Sequence, residues 1–202
     1  MSESLIQNFN HLKIHSQYSI CEGAVKIDDL QDFSKTNKLK SLGLCDTSNL
    51  CGALEFAEKI SKVGTQPIIG TQINFKYGDC IGLLPLFALN EEGYKRIIKL
   101  SSISFLENDE LSDPHVDFKD LLDDNTGVAV FSGTIFGLFG ELYNKGKFSE
   151  VLDLYKKLKL NFGDRFYIEI QRHNDQNESG FEKFNLNKSL ELEIPIIATN
   201  EV

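Results

Sequence analysis

The sequence predicts an α/β fold, with β/α units arranged around a mostly parallel sheet or barrel. Three observations predict it. Short apolar runs rich in β-branched residues recur along the chain. Most are separated by longer stretches whose apolar residues fall near the helical period. Glycine, proline, asparagine and aspartate sit at many of the borders between them. Several strand runs are apolar almost throughout, as a sheet covered on both faces requires.

The elements follow in order. Residues 9–14 (FNHLKI) read as a strand and 24–38 as a helix, with Val25, Ile27, Leu30 and Phe33 on one face. Residues 41–45 (SLGLC) are a strand. Residues 49–64 are a helix stopped by Gly64. PIIGTQINF (67–75) and CIGLLPLFAL (80–89) are strands on either side of a turn at Tyr77, Gly78 and Asp79. Asn90 with Glu91 and Glu92 suits the cap and first turn of a helix running to about Phe105. Residues 107–126 are acidic and turn-rich, with one short helix. A strand (127–133), an amphipathic helix (146–160), a strand (165–173), a helix (178–191) and a last strand (195–199) complete the series. With no long linker, repeat or low-complexity tract, residues 1–202 read as one domain.

Composition narrows the function. The net charge is -9, and there is no basic cluster or aromatic–basic interleaving. Such a chain is poorly suited to grip a phosphate backbone by itself, so DNA contact is expected only through a larger protein. No apolar run approaches the ~20 residues of a membrane span, and no membrane partner is expected. The N-terminus lacks the pattern of a secretory signal. Cys21, Cys45, Cys51 and Cys80 form no C-x-x-C spacing and read as buried free thiols of a reducing compartment, hence the cytoplasm.

In parallel α/β barrels the active site lies at the carboxyl ends of the strands. Here those positions hold His15, Asp46, Thr47, Gln72, Ser132, Gly133, Thr134, His173, Asn200 and Glu201. They are expected to converge on one mouth, a layout like that of a multi-ligand metal site but poor in ligands. The first strand carries His11, Lys13 and His15 on one face. A His-x-His pair there would clamp a metal, but the middle position is an ammonium, which has no lone pair to give. Asp46 suits either a catalytic acid or a cap for the turn at Thr47, Ser48 and Asn49. His11 reads as a hydrogen-bonded structural histidine and His115 as a solvated loop residue. Gly133 and Gly137 lack the following Lys-Ser/Thr of a phosphate cradle.

Six blocks together carry a specific resemblance: HLKIHSQYSICEGAVKIDDL, LGLCDTSNLCGALEFAEK, QPIIGTQINF, LFALNEEGYKRIIKLSSISF, GDRFYIEIQRHN and IPIIATNEV. In this order and spacing, from about Phe9 to Val202, they resemble the N-terminal PHP (polymerase and histidinol phosphatase) domains of bacterial DNA polymerase III alpha subunits. The resemblance implies a distorted (β/α)7 barrel, here short of its C-terminal end, at the front of a much larger polymerase. Active members hold two or three zinc or manganese ions and hydrolyse phosphoesters, in some as a proofreading exonuclease. The polymerase domain itself would use magnesium.

The family's ligands carry over position by position. His15 and His173 match. Glu22 and Glu201 stand where the family has aspartate, and Asp46 is retained. Lys13, Thr47, Gln72 and Thr134 stand where the family has histidine, histidine, glutamate and cysteine. A fixed positive charge at ~4 Å repels a divalent ion by several kcal/mol. The expectation is therefore a metal-free polar cluster, with Lys13 paired to Asp46, Glu22 or Glu201 and no catalytic residue. The resemblance then implies a structural platform that docks the separate proofreading exonuclease subunit beside the remaining polymerase domains. The alternative is an active metal-dependent phosphoesterase or 3′–5′ exonuclease using His15, Asp46, His173 and Glu201 with zinc or manganese.

Overall fold

The computed structural model describes residues 9–108 and 112–202. Helix α1 (Ile27–Asn37) leads into strand β1 (Ser41–Thr47) and helix α2 (Ala53–Lys62). The hairpin of β2 (Gln66–Tyr77) and β3 (Cys80–Ala88) follows, then α3 (Glu91–Leu106). A two-residue strand β4 (Val116–Asp117) and α4 (Phe118–Asp123) precede β5 (Val128–Phe131). Helices α5 (Leu138–Asn144) and α6 (Phe148–Phe162) lead through a 3-10 turn to β6 (Phe166–Ile170), α7 (Glu178–Leu192) and β7 (Ile196–Ala198).

The seven strands form one curled sheet in the order β1-β2-β3-β5-β6-β7, with β4 beside β2. The expected parallel direction holds for β1–β2, β5–β6 and β6–β7, but β3 runs antiparallel to both β2 and β5. The cause is local. Only Gly78 and Asp79 separate the hairpin strands, and Gly78 takes a left-handed φ of 60°. A turn this short cannot return the chain in the same direction.

Residues 11–15 are extended but form no regular strand, unlike the expectation for 9–14. They nevertheless bridge the two ends of the sheet. The carbonyls of His11 and Ile14 accept the Gly43 and Cys45 amides of β1, at 2.7 and 2.9 Å. On the other side Val202 N donates to Lys13 O (3.2 Å), and His15 N donates to Val202 O (2.8 Å). The run after β7 thus meets residues 13–15, and the sheet curls round toward a ring.

Alternation along the strands then sorts the side chains. One face packs outward under the helices. The main core joins Ile73, Leu84, Leu86 and Val130 to Leu100, Leu138, Phe139, Leu154 and Tyr155. A smaller cluster joins Leu42 and Leu44 of β1 to Ile27, Leu30, Phe56 and Ile60. The other face points into the barrel. Its floor is apolar, with Cys45, Phe87 and Phe131 packed with Ile68, Tyr167 and Ile197. Gly70 makes room for Phe87 there, since a Cβ would lie 2.5 Å from that ring. Further along β1, β2, β6 and the end of β7 the same face turns polar, with Thr47, Gln72, Glu169 and Thr199.

The Asn90 cap is present, its side chain accepting from Gly93 N at 2.9 Å. Helix α5 was not expected, because seven residues are too few to show a period. Helix α1 starts later than residue 24, because Val25 bridges to Ser16 and Lys26 is extended. Two of the four free cysteines, Cys45 and Cys80, are buried as expected; Cys21 and Cys51 are exposed. Among the described residues no helix is long and apolar enough to cross a membrane.

Candidate functional site

Lys13 is the centre of the polar layer. It is 1% exposed, and an ammonium so deep is tolerable only when paired. Its Nζ lies 3.1 Å from Glu201 Oε2 and 3.8 Å from Glu169 Oε1. The second Glu201 oxygen is 2.8 Å from His15 Nε2. Glu169 Oε1 also accepts from Gln171 Nε2 at 3.2 Å and from the Thr199 hydroxyl. Burial alone would lower the Lys13 pKa, but the Glu169 and Glu201 carboxylates outweigh it and raise it above the usual lysine value. Burial would likewise raise Glu201; the His15 hydrogen bond and the Lys13 charge overcome it and hold the carboxyl at about 2.

Lys13 therefore pairs with Glu201 as expected, but not with Asp46 or Glu22. Those two carboxylates are engaged elsewhere. Asp46 Oδ1 accepts from Ser16 N (2.7 Å) and Ser19 Oγ (2.7 Å), and Oδ2 from Ser16 Oγ (2.8 Å). It belongs to the outward face of β1 with Leu42 and Leu44, while Lys13 lies inside. Asp46 does not cap the turn after β1 either. Asn49 does so, donating to Thr47 O and accepting from Cys51 N. Glu22 accepts from the Thr47 hydroxyl. Gln72 Nε2 joins the two groups, donating to Thr47 Oγ1 at 2.9 Å and Glu201 Oε1 at 3.3 Å.

The expected mouth exists. An open pocket of about 390 Å³ is lined by Lys13, His15, Glu22, Gln72, Thr134 and Glu201, with Pro85 and Phe136 on its rim. His173 is exposed and lines a neighbouring pocket of about 260 Å³ with Thr134 and Glu201. Ser132 is structural: its hydroxyl accepts from Glu169 N at 2.9 Å and ties β5 to β6.

Two expectations are corrected. His115 is buried, with Nδ1 2.7 Å from Asp113 O. The pairing of β4 with β2 draws its loop against the sheet. His11 does not share the inward face with Lys13; it packs edge-on against Phe9 and Phe33, ring centroids 4.9 and 6.4 Å away. The irregular backbone of residues 11–15 breaks the strict alternation that placed it there.

The residue missed from the sequence is Glu169, 2% exposed. The signal was present: a carboxylate inside the apolar run FYIEI needs a buried cation. Ser16 and Ser19, which enclose Asp46, left no such signal.

The residues at hand do not suit the metal cluster that the PHP resemblance implies. The Lys13 ammonium pairs with Glu201, one of the acidic positions carried over, and with Glu169, and Thr47, Gln72 and Thr134 supply only neutral oxygens or amide groups. Among the described residues, no three His, Cys, Asp or Glu side chains group in a way that could hold a metal ion.

A polar mouth on a curled α/β sheet of this topology defines a barrel of the β/α class. The PHP domain model matches residues 11–173, and the chain belongs to that family. The curated relatives it matches include DNA polymerase III alpha subunits. That of Rickettsia felis is 37% identical over 96% of this chain and 16% of its own length. That of Caulobacter vibrioides is 34% identical over 100% of this chain and 18% of its own. The chain thus spans about a sixth of the relatives it matches. Among solved structures, a protein assigned as a metal-dependent phosphoesterase from Bifidobacterium adolescentis superposes with a TM-score of 0.61 at 11% identity. The match covers 94% of this chain and 86% of that one. An amidohydrolase from Chromobacterium violaceum gives 0.60, also at 11%, over 95% and 86%. At that identity these two speak for the fold alone.

Proposed function

We propose that this chain acts as the PHP domain of a DNA polymerase III alpha subunit in which the phosphoesterase site has become a metal-free polar cluster. In this reading the domain is a structural platform. It supports the remaining polymerase domains and docks the separate proofreading exonuclease subunit, while DNA is held only by the full-length polymerase. Nucleotide addition, with magnesium, belongs to those other domains, and the whole works in the cytoplasm. One observation carries the loss of chemistry: the Lys13 ammonium lies between Glu201 and Glu169, where catalysis would need lone pairs aimed at a cation.

The test has two arms on the intact protein prepared without added metal or an affinity tag. Metal analysis is expected to find less than one tightly held ion per chain, and no hydrolysis of a phosphodiester or 3′-mismatched DNA with manganese or zinc. Mixing with the exonuclease subunit is expected to shift its elution. Two or more bound ions, or hydrolysis abolished by His173→Ala, would instead establish the metal-dependent phosphoesterase. The open pocket shared by His15, Glu22 and Glu201 is the feature that favours that second reading.

A further inference from the structure

We infer that the outward face of β7, built on Ile196 and Ala198, is a docking surface for an amphipathic helix from a further part of the same polymerase chain. The inference rests on the proposed place of this domain in a polymerase and adds where on the barrel another part of that chain attaches.

Register decides which side chains of β7 point outward. In its parallel pairing with β6, Ile168 stands beside Ile196, Glu169 beside Ile197 and Ile170 beside Ala198. Paired residues share a face of the sheet. Ile168 belongs to the outer core and Glu169 reaches inward to Lys13, so Ile196 and Ala198 face outward and Ile197 inward. Ile197 accordingly joins the apolar floor of the barrel. On the neighbouring strands the outward positions are covered. Leu42 and Leu44 of β1, Leu84 and Leu86 of β3, Val130 of β5 and Ile168 of β6 are at most 2% exposed. Ile196 is 42% exposed and belongs to none of the apolar clusters among the described residues. Ala198 is exposed too.

Helix α7 leads into β7 but does not cover it. Its buried residues are Phe181, Asn185 and Ser189, and Phe181 shares the core cluster of Ile168 in β6. Leu186 and Leu190 of the same helix stay exposed, although polar side chains fill its inward positions. A lone exposed leucine is ordinary, but an open strand face beside covered ones is not, because such a sheet buries both faces. The size of the face says what covers it. β7 has three residues, a length of about 10 Å, which matches one helix of ~10 Å diameter. Two outward side chains fall far short of the ~800 Å² per partner that a separate protein needs. A helix of the same chain is held near by its tether and needs less. The relatives supply the chain for it, since this chain spans 16% of the Rickettsia felis subunit and 18% of that from Caulobacter vibrioides.

The experiment uses the full-length polymerase with the photoreactive residue benzoylphenylalanine in place of Ile196, irradiated with and without the exonuclease subunit and mapped by mass spectrometry. The expected product has the size of one chain, with adducts beyond residue 202 at positions three or four apart, as one face of a helix gives. Ile196→Lys, which sets a charge in the seam, is expected to speed protease cleavage of the cross-linked stretch several-fold; if that variant does not fold, Ile196→Ser is read in its place. A product of twice the size (a second copy), an adduct on the exonuclease subunit, adducts only within residues 9–202, or no protein adduct overturns the inference. So does a stretch cleaved no faster in the variant than in the parent. Nuclease activity abolished by His173→Ala would defeat the proposed function and leave the cross-link standing. An adduct on the exonuclease subunit would defeat this inference and leave the platform standing.

Discussion

Two carboxylates at the polar end of the sheet, Asp46 buried and Glu201 partly exposed, are held in opposite ways. Asp46 lies in a neutral cage of two serine hydroxyls and one amide, all from residues 16–19. Glu201 lies in a charged clasp of an ammonium and an imidazole, from residues far away in the chain. The resemblance sets both positions among the family's ligands, yet the solutions differ in what they couple. The cage organises one local turn against β1. The clasp joins the beginning of the described chain to its end. Neutral donors satisfy a carboxylate without obliging any distant group to be present, whereas a buried charge pair fails as a unit when one member is removed.

The largest effect expected from this contrast is at Lys13. Lys13→Met strands Glu169 as a buried charge and is expected to cost about 3–5 kcal/mol in denaturant unfolding at neutral pH. A cost under half of that would mean that the clasp is weak. Next comes acid. Glu201 is held at about 2 in the folded protein, below its unfolded value, so its stabilisation is complete above about pH 4.5 and is lost as the pH falls through 2. The difference in stability between the parent and Glu201→Gln, roughly 2–3 kcal/mol at pH 7, should shrink steadily across that window. A difference that does not change with pH would place the carboxylate outside the clasp.

Asp46→Asn keeps one acceptor in the cage and is expected to cost about 1–2 kcal/mol, from hydroxyls and an amide left short of partners. Combined with Lys13→Met it should be additive within about 0.5 kcal/mol, since the two groups share no direct contact. Coupling larger than that would merge the two regions into one network. The smallest effect is at the link between them. Gln72→Leu removes the bonds to Thr47 and Glu201 and is expected to cost about 1 kcal/mol, measured by the same denaturant titration.

Much of the architecture was legible because it depends on near neighbours. The hairpin turn at Gly78 and Asp79, the Asn90 cap and most strand cores follow from local chemistry. Even the antiparallel direction of β3 was written in the two-residue turn, although the overall pattern of β/α units pointed to parallel pairing. The convergence of His15, Gln72, Thr134 and Glu201 was legible from the rule that strand ends share a mouth. His115 was not, because its burial comes from β4 docking on β2, a contact between stretches about forty residues apart in a loop of polar composition.

The amino-acid sequence by itself determined the alternation of strands and helices, the apolar faces that must be covered, and the presence of a lysine where a metal-binding side chain would be expected. Only the tertiary structure decided what that lysine does. Lys13 had three nearby candidate carboxylates in the reading of the sequence, and Glu169 was not among them. Ring closure selected Glu169 and Glu201 and left Asp46 on the far side of β1. The physical reason is that a buried charge takes its partner from whatever the sheet's register brings within a few ångströms, and register joins residues that no spacing along the chain connects.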